Sequence, residues 1–201
     1  MFSITIRVYS RVFIAAAACA ALIAPVSARV EQNGSYTCPV RGQAIDAVTK
    51  DTEFSDYMGV RYYYCCEGCK PDFDKNQQKY LKANKGKIIG ASFFDPITTR
   101  RIDPAKAQSH SDFNSVRYFF AKDDDKKSFD KEPKKYTIAP KKKVLFCPVS
   151  NEKVETYDKA SDYSDLKGTR YYFCCAGCKP KFDKDPDKYL KDLDERMKGK
   201  Q

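Results

Sequence analysis

The chain has 201 residues, and its 37 lysines and arginines against 27 acidic residues give a formal net charge of +10 at pH 7. The positive charge comes from lysines scattered among aspartates, without an arginine-rich stripe, which indicates a solvated surface and argues against a nucleic-acid partner. After the first 28 residues no segment is apolar enough to cross a membrane, so stable membrane insertion is not expected.

The amino terminus predicts a signal peptide over residues 1–28. Two arginines precede an apolar run, Val12–Ala24, and small residues follow it, so cleavage is expected after Ala28. The run is shorter than the roughly 20 residues that a membrane-spanning helix needs. Removal of the segment also removes Cys19 and leaves eight cysteines in a protein that we expect to be periplasmic or secreted.

The rest of the chain is dominated by an internal repeat. Residues 38–82 and 147–191 align without a gap at a constant offset of 109. A third copy lies between them, recognisable from Arg117-Tyr118-Phe119-Phe120, but it has no cysteine. We therefore predict a first repeat over residues 36–84, a degenerate second repeat over 92–138 and a third repeat over 145–195.

Each copy has the same predicted order of elements. A turn at Cys-Pro-Val, or at Asp95-Pro96-Ile97 in the middle copy, is followed by a strand or hairpin with alternating aromatic residues, and then by two short helices. The fold class is therefore α+β. A module of about 45 residues rarely folds alone without a metal, disulfides or neighbours. Because the middle copy keeps the aromatic pattern without cysteines, it is expected to pack against its flanking copies in one three-copy array.

The cysteines of the outer copies have a spacing typical of a metal site. Cys65 and Cys69 are four residues apart, so at the start of a helix both thiols would project on one side. Cys38, in a turn 27 residues before Cys65, would supply a third ligand. The adjacent Cys66 would either complete a four-thiolate site or leave the fourth position open.

The third repeat has the same arrangement, and the predicted metal ligands of the two copies are Cys38, Cys65, Cys66, Cys69, Cys147, Cys174, Cys175 and Cys178. Thiolate-only coordination suits a soft or borderline cation, so one Zn(II) or Cu(I) ion is predicted for each cysteine-bearing repeat. The single histidine, His110, belongs to the middle copy and is interpreted as a loop residue rather than a ligand.

The cysteine motifs resemble those of the YHS/TRASH domain family. The resemblance rests on Tyr62 to Lys70 with Phe73 and Tyr80, and on the matching segment of the third repeat. It implies small treble-clef-like modules that serve in metal sensing, trafficking or resistance, with a metal transporter or another envelope metal protein as a possible partner.

The chain departs from the pattern of that family at its first ligand. Many members open with Asp-Pro-Val-Cys, whereas here Cys38 and Cys147 occupy the aspartate position. Arg41 and Ser150 occupy the usual cysteine position. The first ligand is thus displaced by three residues.

Two alternatives to metal binding follow from the same cysteines. In an oxidising compartment the four cysteines of a copy can close two disulfides, which would make the protein a disulfide-stabilised interaction module. Cys66-Glu67-Gly68-Cys69 and its counterpart are also Cys-x-x-Cys motifs, which a thiol oxidoreductase would use. The sequence contains no other enzyme signature, so the protein is predicted not to be an enzyme.

Overall fold

A computed structural model describes residues 35–199. The predicted signal peptide and Cys19 lie outside this range. Within the described part of the chain, no helix has both the length and the apolar character needed to cross a membrane.

The first copy has four strands followed by two helices. Its elements are β1 (Tyr36–Thr37), β2 (Ala44–Ile45), β3 (Phe54–Tyr57), β4 (Val60–Tyr63), α1 (Cys69–Lys75) and α2 (Gln77–Ala83).

The middle copy follows the same order without the pair of two-residue strands. Its elements are β5 (Gly90–Ser92), a 3-10 helix (Pro104–Lys106), β6 (Ser109–Phe113), β7 (Val116–Phe120), α3 (Asp123–Lys131) and α4 (Pro133–Tyr136).

The last copy ends in an additional helix. Its elements are β8 (Lys142–Val144), β9 (Phe146–Cys147), β10 (Glu152–Lys153), a 3-10 helix (Tyr157–Lys159), β11 (Asp162–Leu166), β12 (Thr169–Phe173), α5 (Cys178–Lys184), α6 (Pro186–Leu190) and α7 (Leu193–Lys198). The predicted α+β class and the modules of hairpin and short helices are confirmed.

One hairpin is built in the same way three times. Two residues with positive φ connect its strands in every copy, for example Met58 at 54° and Gly59 at 82°. Such turns match the right-handed twist of the flanking strands. An arginine and an aspartate then pair across the hairpin through two hydrogen bonds; the pairs are Arg61–Asp56, Arg117–Asp112 and Arg170–Asp165.

A buried phenylalanine fixes the first helix of each copy on its hairpin. Phe73, Phe129 and Phe182 are at most 1% exposed. Each packs on two aromatic side chains of the second hairpin strand or its end, with ring centroids 5.0–5.6 Å apart. These aromatic residues therefore pack the first helix of each copy against its hairpin. Because the middle copy contains the same arrangement, this packing does not depend on cysteine.

The sheets join the copies. The first and middle copies share a five-stranded sheet with the order β3-β4-β5-β7-β6, in which β5 runs antiparallel to β4 and parallel to β7. The last copy has its own three-stranded sheet, β11-β12-β8. Phe94 enters the core of the last copy, where its ring centroid lies 5.3 Å from that of Tyr163. The middle copy thus contacts both of its neighbours.

Candidate metal centre

The first cysteine of each outer copy lies in a tight turn. The carbonyl oxygen of Cys38 accepts a hydrogen bond from the Gly42 N–H at 2.8 Å, and that of Cys147 accepts one from the Asn151 N–H at 2.9 Å. Gly42 and Asn151 both have positive φ, 70° and 61°. Glycine and asparagine tolerate this conformation better than other residues. The turn buries both cysteines completely.

The other cysteines lie where the hairpin passes into the first helix. Strand β4 ends at Tyr63, Cys65 and Cys66 follow in the connection, and Cys69 is the first residue of α1. The prediction that Cys65 also belongs to the helix is wrong. Cys65 lies outside the helix because the residues after it form a separate turn. In this turn the Cys69 N–H donates a 3.2 Å hydrogen bond to the carbonyl oxygen of Cys66.

These turns bring three thiols of each copy together. Cys38, Cys65 and Cys69 form one triad, and Cys147, Cys174 and Cys178 form the other. All sulfur atoms of a triad lie within 4.8 Å of one another, and those of Cys65 and Cys69 are 3.9 Å apart. Sulfurs bound tetrahedrally to one zinc ion at about 2.3 Å lie about 3.8 Å apart. The thiols therefore fit one ion per triad without a large rearrangement.

The fourth cysteine of each copy lies at the rim of its triad. The sulfur of Cys66 is 3.5 Å from that of Cys69, and the sulfur of Cys175 is 3.1 Å from that of Cys178. Cys175 is exposed and Cys66 is half-buried. All eight predicted ligands thus lie in the two clusters. Each cluster has three cysteines in its triad and a fourth whose sulfur lies 3.1–3.5 Å from one sulfur of that triad.

The two clusters differ at the residue three positions after the first cysteine. In the last copy the Ser150 hydroxyl oxygen lies 3.1 Å from the sulfur of Cys174. In the first copy this position is Arg41; the Cys69 thiol is the main cause of the lowered pKa of Cys66, and the charge of Arg41 lowers it further. The sequence shows the substitution but not that Ser150 contacts the cluster.

Backbone N–H groups favour the thiolate of the first cysteine. Burial raises the pKa of Cys38, but the N–H groups of Arg41, Cys65 and Val40 offset it, so that the pKa is lowered overall. Cys147 is affected in the same way. Burial raises its pKa, but the Ser150 hydroxyl and nearby N–H groups lower it by more, so that the pKa is lowered overall. In each cluster the first cysteine is therefore one whose thiolate form the fold favours.

The third cysteine of the triad behaves oppositely. Burial, followed by the neighbouring thiols, raises the pKa of Cys69 and of Cys178 well above the ordinary value. Burial is also the main reason why the pKa of Cys174 is raised, to about 11. Within a cluster the fold therefore favours the thiolate form of the first cysteine and the thiol form of the third.

All eight cysteines of residues 35–199 are free thiols. Their recorded sulfur–sulfur distances of 3.1–3.9 Å are longer than the roughly 2.05 Å of a disulfide. His110 belongs to neither triad. It lies in β6, packed on Phe119, so its interpretation as a loop residue is wrong. The reason is that the hairpin of the middle copy extends to Ser109.

Comparison with known proteins gives one family. The model described as YHS domain matches residues 39–84 and 148–192. The matched ranges begin one residue after Cys38 and Cys147, and they do not include the middle copy. None of the curated proteins and none of the solved structures compared with the chain matches it.

Proposed function

The chain carries two YHS domains, at residues 39–84 and 148–192, and from this premise we propose that it is an exported protein that binds soft metal ions. The observation that carries the proposal is the pair of thiol triads. Each triad combines a buried cysteine, whose pKa is lowered, with two further thiols at distances that suit one ion. Zn(II) and Cu(I) are the ions whose ligand preferences fit best.

The proposed role is metal handling, sensing or resistance in the periplasm or outside the cell. The predicted signal peptide supports the location, and its test is the amino-terminal sequence of the protein from the extracytoplasmic fraction. We expect that sequence to begin at Arg29. A metal transporter or another envelope metal protein would be the partner that supplies or receives the ion.

Metal stoichiometry tests the binding itself. Protein kept reduced should bind two equivalents of Zn(II) or Cu(I), one for each triad. Cys65→Ser and Cys174→Ser should each remove one equivalent, because each removes a central ligand. Ser128→Ala, in a helix of the middle copy, is the matched control and should leave both equivalents bound.

The rim cysteines are tested in the same assay. Cys66→Ser and Cys175→Ser should weaken binding at their own cluster if the rim thiol turns inward as the fourth ligand. Unchanged affinity would instead assign an open, three-thiolate site suited to transfer of the ion.

The disulfide alternative makes a different prediction. Intact-mass measurement of protein isolated from its own compartment would then show eight oxidised thiols and no metal, which would refute metal binding. A thiol oxidoreductase would reduce a disulfide substrate even after complete removal of metal.

A further inference from the structure

The turn that holds the first metal ligand is preserved in the middle copy. Asp95 takes the place of Cys38 and Cys147, and its carbonyl oxygen accepts a 2.8 Å hydrogen bond from the Thr99 N–H, four residues later. The equivalent bonds in the outer copies measure 2.8 and 2.9 Å. Thr99 has a φ of 60° although threonine rarely adopts this conformation. The middle copy therefore keeps a strained ligand turn without its cysteine.

The side chain of Asp95 also takes the place of the thiolate. Its Oδ1 accepts hydrogen bonds from the N–H groups of Ile97 at 2.9 Å and Thr98 at 3.2 Å, and the Ala121 N–H faces the same carboxyl group. These donors stand at the positions of Val40, Arg41 and Cys65, the donors to Cys38 in the first copy. The Asp95 carboxyl group is thus surrounded by the same three backbone N–H donors that surround the sulfur of the first cysteine in the first copy.

A second carboxylate stands where the third cysteine of a triad would be. Asp125, in the first turn of α3, aligns with Cys69 and Cys178 and acts electrostatically on Asp95. Asp95 is only 1% exposed, and its Oδ2 has no hydrogen-bond partner. The Oδ2 of Asp125 and the hydroxyl of Thr99 are likewise buried without a partner. Buried polar oxygens of this kind are costly unless something binds them.

We propose that the middle copy is a site for one hard divalent cation, of the Mn²⁺, Ca²⁺ or Mg²⁺ class, bound by Asp95 Oδ2 and Asp125 Oδ2. Both replacements exchange sulfur for oxygen, and oxygen ligands select hard cations over Zn(II) and Cu(I). The cation would neutralise both carboxylates and give a partner to the unpaired Oδ2 atom of each. Water would complete its coordination, as is usual for sites with one or two carboxylates.

Mn²⁺ is the probe that tests the site. Full-length reduced protein, first supplied with two equivalents of Zn(II), is titrated with Mn²⁺ while the electron paramagnetic resonance signal of the free ion is recorded. We expect one Mn²⁺ to bind per chain, and Asp125→Ala to abolish that binding. Asp124→Asn is the matched control, since its side chain is 89% exposed in the same helical turn, and it should bind Mn²⁺ as the unaltered protein does.

Asp95→Asn is a second variant, in which an amide oxygen can still accept from Ile97 and Thr98 while the charge is lost. It should also abolish binding, and thermal melting establishes whether the variant is folded. Mn²⁺ should raise the melting temperature of the unaltered protein but not that of Asp125→Ala.

Undiminished free Mn²⁺ signal at millimolar concentration would overturn the proposal, as would binding that survives in Asp125→Ala. The Zn(II) content of the same samples reports separately on the cysteine clusters, so failure of this site does not depend on the function proposed for them.

Discussion

Individual cysteines of a cluster differ in the direction in which the fold shifts their pKa values. Cys38 and Cys147 have pKa values lowered by backbone N–H groups despite burial, whereas burial and the neighbouring thiols raise those of Cys69 and Cys178. The ligands are chemically alike in the sequence, and the difference arises only from their positions in the fold. Burial also raises the pKa values of Cys65 and Cys174, so two central thiols of each cluster must lose a proton before they can bind a metal.

This difference predicts the proton release on zinc binding. Near pH 7 each cluster should release about two protons per Zn(II), because the two central thiols with raised pKa values must deprotonate, whereas the lowered pKa of the first cysteine favours its thiolate before metal binds. Protons then compete with the metal, so affinity should increase as pH rises, by about 100-fold per pH unit for two protons. Calorimetry in buffers of different ionisation enthalpy measures the number released.

Cys69→Ser provides the control for this prediction, since it removes a ligand that must lose its proton. Any Zn(II) that still binds to the first cluster should release about one proton fewer, while the second cluster is unaffected. A release of four protons, or of none, would contradict the assigned protonation.

At the scale of elements, the hairpins and helices were predictable because they leave local signals. Alternating aromatic residues indicate the second hairpin strand, and prolines that a first helical turn tolerates, such as Pro186, indicate the short helices. The Arg–Asp pairs across each hairpin were missed, although Arg61, Arg117 and Arg170 are visible in the repeat. Their partners depend on strand register, which the sequence does not specify.

Strands β5 and β8 were not predicted either. Both lie between the predicted repeats or at their edge, where glycine, proline and a run of lysines are typical of loops. Each pairs in parallel with the second hairpin strand of its own copy, β7 or β12, at a distance in sequence of about 25 residues. Such pairing is non-local, and neither segment has the alternation that would reveal it.

Strand β5 approaches β4 so closely at Gly90 that there is no room for a side chain at this position. A Cβ atom at this position would lie 2.5 Å from the Arg61 carbonyl oxygen and 2.9 Å from the ring of Tyr62. Because the first of these neighbours is backbone of the adjacent strand, Gly90→Ala should force β4 and β5 apart. We expect a loss of about 1–3 kcal/mol of unfolding free energy, typical of overpacking in a buried position. Chemical denaturation of the fully reduced protein measures it.

Gly68→Ala is the matched control, since a Cβ atom there meets nothing within 4 Å and the backbone has no positive φ. Its unfolding free energy should change little. Equal effects of the two substitutions would show that the close approach of β5 to β4 is not what limits position 90.

At the scale of the whole molecule, the copies depend on one another. The shared five-stranded sheet and its core unite the first two copies. The last copy is connected to the middle one through Phe94 and through an isolated antiparallel β-bridge between the backbones of Arg100 and Asp162. The sequence predicted such packing because the middle copy lacks cysteines. It could not predict which strand or side chain makes each connection.

The middle copy also determines how the protein should respond to metal removal. Phe119, Phe120 and Phe129 are at most 1% exposed in a copy without any cysteine, and β5 connects it to β4. Small zinc domains usually unfold without their ion, since the metal supplies their folding free energy. Here the buried aromatic core of the middle copy should persist when a chelator removes zinc.

Hydrogen exchange measured by mass spectrometry distinguishes these outcomes. After chelation of reduced protein, amides of β5, β6, β7 and α3 should stay protected, while those of the four cysteine-bearing turns exchange faster, because local opening there no longer has to break metal–sulfur bonds. The double variant Cys65→Ser and Cys174→Ser should show the same local change without chelator. Loss of protection throughout residues 35–199 would instead mean that the metal ions, rather than the thiol-free centre, hold the array together.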